Sequence, residues 1–312
     1  MAATNDLTFL APPGAVADWR MVLLCDAAIA AGVFDALPGT ADEVAARAGL
    51  EPEALRVVLD ALATLEVVQK NAAGSFSFGA AAPEPTAMAS VRHHARALRR
   101  WATSVEPQLR GQGTAGEMPD PETFHDALAR NARNVAPEVV DVVLRRFPDA
   151  RSVLDLGGLH GEYSLEFTRR GLKATMQDQP AMIDVARRRG RLEAAAVELY
   201  EGSFFETVPE GPFDLAFCSG ITHTFGPEQN LTLFRNLRPI LAPGGGVAVV
   251  TFLRGRDPMS ALFAVQMLLN NNGGDTHTEA EYRAWLAEAG FTVDEGVVDL
   301  PGQGARSVLL AT

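Results

Sequence analysis

Apolar residues recur along this chain at two different periods. In the first half the spacing is that of helices. Trp19 to Ala36 carries Met21, Leu24, Ala28, Ile29 and Val33 as one helical stripe. Thr40 is followed three residues later by Glu43, a capping-box signal that opens a second helix over ADEVAARAGL. Pro52 stands where a first helical turn tolerates a missing N–H, and Ala54 to Leu65 is amphipathic. Val67-Val68 and Phe76-Ser77-Phe78 flank the turn Asn71 to Gly74 as a small hairpin. Three helices and a hairpin predict a winged helix. After the loop Gly111 to Pro121, the pattern from Phe124 to Phe147 predicts one or two long helices.

From Arg151 the period shortens. Val153-Leu154-Asp155-Leu156 reads as a buried strand, Gly157-Gly158-Leu159-His160-Gly161 as a tight turn, and Tyr163, Leu165 and Phe167 as the start of a helix. Lys173 to Gln177 predicts a second strand, ending at Asp178-Gln179-Pro180 before another helix. Val197 to Glu201 predicts a third, running into Gly202-Ser203-Phe204-Phe205, and Phe213 to Cys218 a fourth. Leu241 to Gly246 leads into Val247 to Val250. Met259 to Leu269 is a helix apolar on several sides, and Thr278 with Glu281 forms a second capping box. Phe291 to Asp299 and Ala305 to Leu310 are expected as a closing antiparallel pair. Strands alternating with helices predict an α/β fold with a largely parallel sheet.

Such a turn between strand and helix lets the backbone approach a ligand, with amide N–H groups at the helix start facing it. Asp178, about 20 residues further on at the end of strand two, is placed to accept hydrogen bonds from both hydroxyls of a ribose. A dehydrogenase-type dinucleotide fold would explain the first turn but not LAPGGG before a late strand.

Composition narrows the functions. A length of 312 residues predicts about two domains. The net charge of −12 argues against a nucleic-acid partner, and the second predicted helix carries Asp42 and Glu43 against a single Arg47. Cys25 and Cys218 lie far apart in apolar surroundings and read as core thiols of a reducing cytoplasm. Residues 1–14 read as an arm without the basic start and long apolar core of a signal peptide, and no run reaches the ~18 apolar residues of a membrane span. Arg92, His93, His94, Arg96, Arg99 and Arg100 read as a solvated basic helix face.

VLDLGG, the triplet Asp178-Gln179-Pro180, GSFF and LAPGGGVAVV together resemble the class I S-adenosylmethionine-dependent methyltransferases. The closest likeness is to the small-molecule O-methyltransferase family with an N-terminal winged-helix dimerisation domain. The resemblance implies a Rossmann-like seven-stranded methyltransferase sheet over residues 148–312, a helical linker over 101–147 that contributes to the active site, and a mainly helical winged-helix dimerisation domain over 1–100. It implies a small acceptor, aromatic or hydrophobic, a homodimer, and neither a nucleic-acid nor a membrane partner. S-adenosylmethionine would be held by Asp155, Gly157, Gly158, Gly161, Asp178, Gln179, Gly202, Ser203, Phe204 and Ser219. His223, just past strand four, falls where the family has its general base. His277, Met259, Phe263, Met267, Trp101 and Phe124 are candidates for the acceptor cavity, with Met118 and His125 near them.

Several positions depart from the family pattern. Leu159 replaces a glycine, Gln179 a leucine, and Ser203 the acid that holds the adenine amino group. Thr224, Thr251 and Thr276 replace the acids that orient the catalytic histidine. With those acids absent, His223 and His277 pointing into one cavity would also suit a divalent metal. The alternatives are therefore metal-assisted C-methylation of an α-keto acid, or a member of the fold that transfers no methyl.

Overall fold

The computed structural model describes residues 19–113, 120–270, 274–300 and 306–312. The arm over 1–14, Met118 and Ala305 fall outside them. The chain divides into two compact units, Met1–Ala102 and Thr103–Thr312.

The first unit holds helices α1 (Trp19–Ala30), α2 (Ala41–Ala48) and α3 (Pro52–Thr64), then strands β1 (Val68–Lys70) and β2 (Phe76–Phe78); α4 (Pro85–Leu109) runs out of it. Helix α1 ends before the expected Ala36, and the chain turns at Gly32 with φ 70°. Met21, first in the expected stripe, is exposed. The start of α2 follows the sequence signal: the Glu43 N–H donates to Thr40 Oγ1 (3.3 Å) and the Thr40 N–H to Glu43 Oε2 (2.8 Å). Leu55, Leu59 and Leu62 put one face of α3 into a core with Val44, Val67 and Phe76. The hairpin pairs Val68 with Phe78 and Lys70 with Phe76, and Gly39 adds a bridge on its outer edge at Phe76.

The second unit begins with α5 (Pro121–Arg146), one helix capped by the Asp120 carboxylate on the Thr123 N–H (2.8 Å). There follow β3 (Ser152–Leu156), α6 (Glu162–Arg169), β4 (Lys173–Asp178), α7 (Pro180–Arg189), α8 (Arg191–Ala194), β5 (Glu198–Glu201) and β6 (Phe213–Ser219). Then come α9 (Pro227–Leu237), β7 (Leu241–Phe252), α10 (Pro258–Asn270), α11 (Glu279–Glu288), β8 (Val298–Asp299) and β9 (Arg306–Ala311). The strands form one sheet in the order β5-β4-β3-β6-β7-β9-β8, parallel from β5 to β7 and antiparallel beyond. Apolar side chains line both faces. Val153, Leu215, Phe217, Ala248 and Val250 pack against α5, α6 and α7, whereas Leu154, Leu156, Cys218, Val247 and Val249 pack against α9 and α11. A sheet covered on both sides needs apolar runs rather than alternation, which is what the sequence carries. Strand order reverses between β3 and β6, so the crevice at their carboxyl ends is where such a fold takes a ligand.

One element is longer than expected and one expectation is corrected. The Leu241 to Gly246 segment that leads into Val247 to Val250 is itself part of β7. Phe213 pairs with Leu241 and Leu215 with Gly246, so the intervening residues of β7 bulge outward. Gly246 is held close to its neighbours there: a Cβ on it would lie 2.4 Å from the Ala311 carbonyl oxygen. Near the C-terminus only Val298–Asp299 of the expected Phe291 to Asp299 strand is regular, with an isolated bridge from Val293 to Ala311. The Arg283 guanidinium accounts for this, because it donates to the carbonyls of Asp294 and Glu295 (2.8 Å each) and takes them out of any ladder.

Candidate active site

The crevice has a turn on one side and a histidine loop on the other. In the turn, a Cβ on Gly158 would lie 2.5 Å from Met176 Cγ and 2.9 Å from Asp155 Oδ2, so only glycine fits. Leu159, where the resemblance implies glycine, keeps the left-handed conformation that glycine would favour, with φ 47°. That conformation costs about 1–2 kcal/mol for a residue with a side chain. It is held by Asp178: the Leu159 N–H donates to Asp178 Oδ2 (2.8 Å) and the Gln179 N–H to Oδ1 (2.7 Å). Hydrogen bonds to a carboxylate are about twice as strong as neutral ones, enough to offset the strain. Burial raises the Asp178 pKa against these two amides.

Asp155 sits beneath the turn. Its Oδ2 accepts from the Ser164 hydroxyl (2.6 Å), while Oδ1 is buried without a hydrogen-bond partner among the described residues. Burial pushes its pKa to about 7, with the nearby Asp178 charge adding to the rise and Ser164 opposing it. An orphaned carboxyl oxygen and a backbone that approaches without side chains are what a cationic, ribose-bearing ligand would require. The residues present therefore fit S-adenosylmethionine.

The other expected donor contacts are less uniform. Gly161 opens α6. Gly202 donates its N–H to the Asp178 carbonyl (3.0 Å). Ser203 turns its hydroxyl back onto the Phe205 N–H (3.3 Å). Phe204 is buried in an aromatic cluster with Phe205 and Phe225. Ser219 ends β6. His160 is a residue that sequence reasoning passed over. Its Nδ1 accepts from the Glu162 N–H (3.1 Å), and burial lowers its pKa to about 3, so it stays neutral in the turn.

Across the crevice, β6 leads into a single 3-10 turn, Thr222–Thr224, that carries His223. Asn230 Nδ2 pins this loop from α9, within hydrogen-bond distance of the carbonyls of Thr222, Phe225 and Gly226 (3.0–3.2 Å). The Asp275 N–H donates to the His223 carbonyl (3.0 Å). The imidazole is 6% exposed and stands edge-on to Phe263, ring centroids 4.8 Å apart. Phe263 is also 4.1 Å from Phe252 at the end of β7.

The three threonines at the acidic positions are committed elsewhere. Thr224 Oγ1 donates to the Ile221 carbonyl (2.6 Å) and Thr276 Oγ1 to the Ser260 carbonyl (3.0 Å). Thr251 Oγ1 lies 3.4 Å from the Tyr282 hydroxyl, which donates to Thr222 Oγ1 (2.8 Å). His223 Nδ1 is buried with no hydrogen-bond partner among the described residues. Burial first, and then the charges of Arg306 and His277, bring its pKa down to about 3.

This has a consequence for stability. A histidine with a depressed folded-state pKa favours the folded state fully above the unfolded value near 6.5, and loses that contribution as pH falls toward 3. The wild type is expected to lose roughly 2 kcal/mol more than His223→Asn between pH 7.5 and pH 5. Chemical denaturation at both pH values reads this difference, and parallel losses would contradict the burial of a neutral imidazole.

His277 departs from expectation. Its ring is 2% exposed and packs edge-on to Trp285 (4.9 Å) and Tyr282 (5.9 Å). Its Nε2–H donates to the Phe225 carbonyl (2.8 Å), so that nitrogen is not offered to a substrate or to a metal shared with His223. Among the described residues no three His, Cys, Asp or Glu side chains are grouped to hold a metal ion. Of the apolar candidates on α10, Phe263 meets His223, Met267 turns into the core and Met259 is 55% exposed. Phe124 is half-buried on α5, and His125 hydrogen-bonds the adjacent Asp126 (2.9 Å). Trp101 is half-buried on α4, within the first unit.

A doubly covered sheet with an acid-clamped turn facing a buried histidine defines a nucleotide-type binding enzyme of the methyltransferase fold. Residues 114–292 match the profile of the O-methyltransferase domain. The chain is 30% identical over 307 residues to 3-amino-4-hydroxybenzoate 4-O-methyltransferase of Streptomyces cremeus, covering 89% of this chain and 81% of that protein. It is 29% identical over 273 residues to the tetracenomycin polyketide synthesis 8-O-methyl transferase TcmO of Streptomyces glaucescens, covering 80% of each. Among solved structures, an O-methyltransferase family protein from Burkholderia thailandensis superposes with a TM-score of 0.75 at 23% identity, covering 94% of both chains. The chain belongs to the O-methyltransferase domain family and is an S-adenosylmethionine-dependent enzyme. No described helix is long and apolar enough to cross a membrane.

Proposed function

We propose that the chain methylates a hydroxyl group on a small aromatic acceptor, with His223 as the base. The observation that carries this reading is a neutral, buried imidazole at the carboxyl end of β6, walled by Phe263 and Phe252 and facing the turn clamped by Asp178. Asp178 would take the ribose hydroxyls of the donor, Asp155 its amino end, the turn Gly157–Gly161 its amino-acid backbone, and Gln179, Gly202, Ser203, Phe204 and Ser219 its remaining edges. Bound there, the donor supplies an electrophilic methyl carbon on sulfur. His223 accepts the hydroxyl proton as the acceptor oxygen turns nucleophilic, and the aromatic wall excludes water and aligns the ring. An imidazole with no carboxylate on Nδ1 is a weak base, so it suits an acidic hydroxyl such as a phenol. The phenolic acceptor named for the Streptomyces cremeus relative supports the same class.

In the same reading, residues 1–100 dimerise the protein in the cytoplasm, 101–147 link to the catalytic unit and close over the acceptor, and 148–312 hold the donor. Phe124 and Met259 contribute to acceptor binding only at its margin, and Met267 supports α10 from the core.

Incubation with S-adenosylmethionine and a panel of phenols, followed by mass spectrometry, tests this. A phenolic product heavier by one methyl group is the expected result. A protein that binds the donor tightly yet methylates no phenol, while methylating a carbon acid in a chelator-sensitive reaction, would contradict it.

A further inference from the structure

Arg306 enters the chemistry described so far only through its charge, which helps to lower the His223 pKa, and its surroundings are unusual. Most arginines of the second unit hold carboxylates: Arg146 on Asp294, Arg191 on Glu162, Arg254 on Asp275 and Arg256 on Asp299. Arg306 pairs with no carboxylate among the described residues and is half-buried. It is the first residue of β9, in register with Phe252 at the end of β7. Because β9 runs antiparallel, that register brings its first residue to the sheet edge where the parallel strands end and the ligand binds.

The guanidinium carbon lies 5.5 Å from the centroid of the Phe252 ring. Phe252 in turn stands 6.1 Å from His223 and 4.1 Å from Phe263. A short aromatic wall therefore runs from the base to an uncommitted cation. A half-desolvated guanidinium presents a planar fork of N–H donors that matches a carboxylate.

We propose that Arg306 is the binding subsite for a carboxylate carried by one of the two reactants; carried by the acceptor, it makes an aromatic hydroxy acid the class the wall selects. This rests on the reading of the crevice as a methyl-transfer site. The acid group has two sources, the acceptor and the amino-acid end of the donor. The wall from Phe252 to His223 favours the acceptor, whose hydroxyl would lie at the imidazole while its acid lies at the guanidinium.

The test compares wild type, Arg306→Gln and Arg306→Lys, with thermal melts confirming that each variant folds. The probes are 4-hydroxybenzoate, its methyl ester and S-adenosylmethionine. With an acceptor carboxylate, Arg306→Gln lowers affinity and kcat/KM for the acid by about 10- to 100-fold, the size of a lost charge-assisted hydrogen bond. The ester and the donor affinity are then unchanged, and Arg306→Lys recovers part of the loss. With a donor carboxylate, calorimetry shows S-adenosylmethionine binding about tenfold or more weaker and the acid-to-ester ratio is unchanged. Equal behaviour of wild type and Arg306→Gln toward all three probes overturns the proposal. Calorimetric binding of the acid reads the subsite even if no phenol is methylated, which separates failure of this inference from failure of the functional reading.

Discussion

His223→Ala is expected to lower kcat/KM for a phenolic acceptor by about 10²- to 10⁴-fold, the range for loss of a positioned base. The donor affinity should stay within about twofold, because the imidazole belongs to the loop after β6 and not to the turn after β3. Two structural facts set where in that range the effect falls. The imidazole is neutral before the acceptor arrives, so every molecule is competent to take a proton. Its Nδ1 has no hydrogen-bond partner among the described residues, so nothing stabilises the imidazolium that forms. The lower part of the range is therefore expected, and the loss should shrink further with more acidic phenols. His223→Gln controls for the cavity that alanine would open beside Phe263. Turnover rates together with calorimetry of donor binding check the result. An alanine variant within threefold of wild type would remove His223 from the base role.

The second large effect belongs to Asp178. Asp178→Ala is expected to weaken donor binding more than about 100-fold and to destabilise the fold by roughly 2–4 kcal/mol. One carboxylate serves two purposes. In the proposed reading it takes the ribose, and it accepts the N–H groups of Leu159 and Gln179 that fix the turn. Removing it leaves two part-buried donors unsatisfied, at about 1–3 kcal/mol each, and frees Leu159 from a conformation it would not choose. Asp178→Asn keeps the volume but can turn only one oxygen toward two N–H groups, so it should fall between alanine and wild type. Denaturation midpoints and calorimetry separate the two effects. Unchanged donor affinity in Asp178→Ala would mean that the ribose lies elsewhere.

What the sequence made legible was local. Both capping boxes, the strand–turn–helix from Val153 to Phe167 and the placement of His223 after β6 follow from residues a few positions apart. The sheet itself was legible because its strands are apolar runs separated by turn signals. What escaped was assembled over long distances. His277 has a ligand-like side chain, but its partner is a backbone carbonyl, that of Phe225, which no residue identity advertises. Phe252 and Arg306 meet only through the antiparallel register of β9 on β7. His160 caps a turn that the glycines alone had seemed to account for, and β8 shrinks because Arg283, on α11, takes two carbonyls of the segment before it.

The loop that carries His223 is fastened from three directions: Asn230 on α9, the Asp275 N–H and the His277 ring. Ordering of the proposed base would thus be completed during folding and not repeated in each catalytic cycle. The same fastening divides evolutionary freedom unequally. Changes at Asn230 or His277 would loosen the His223 loop whichever acceptor is bound. The solvent-facing Met259, Leu262 and Leu268 of α10 hold no such bonds to the loop and are open to variation.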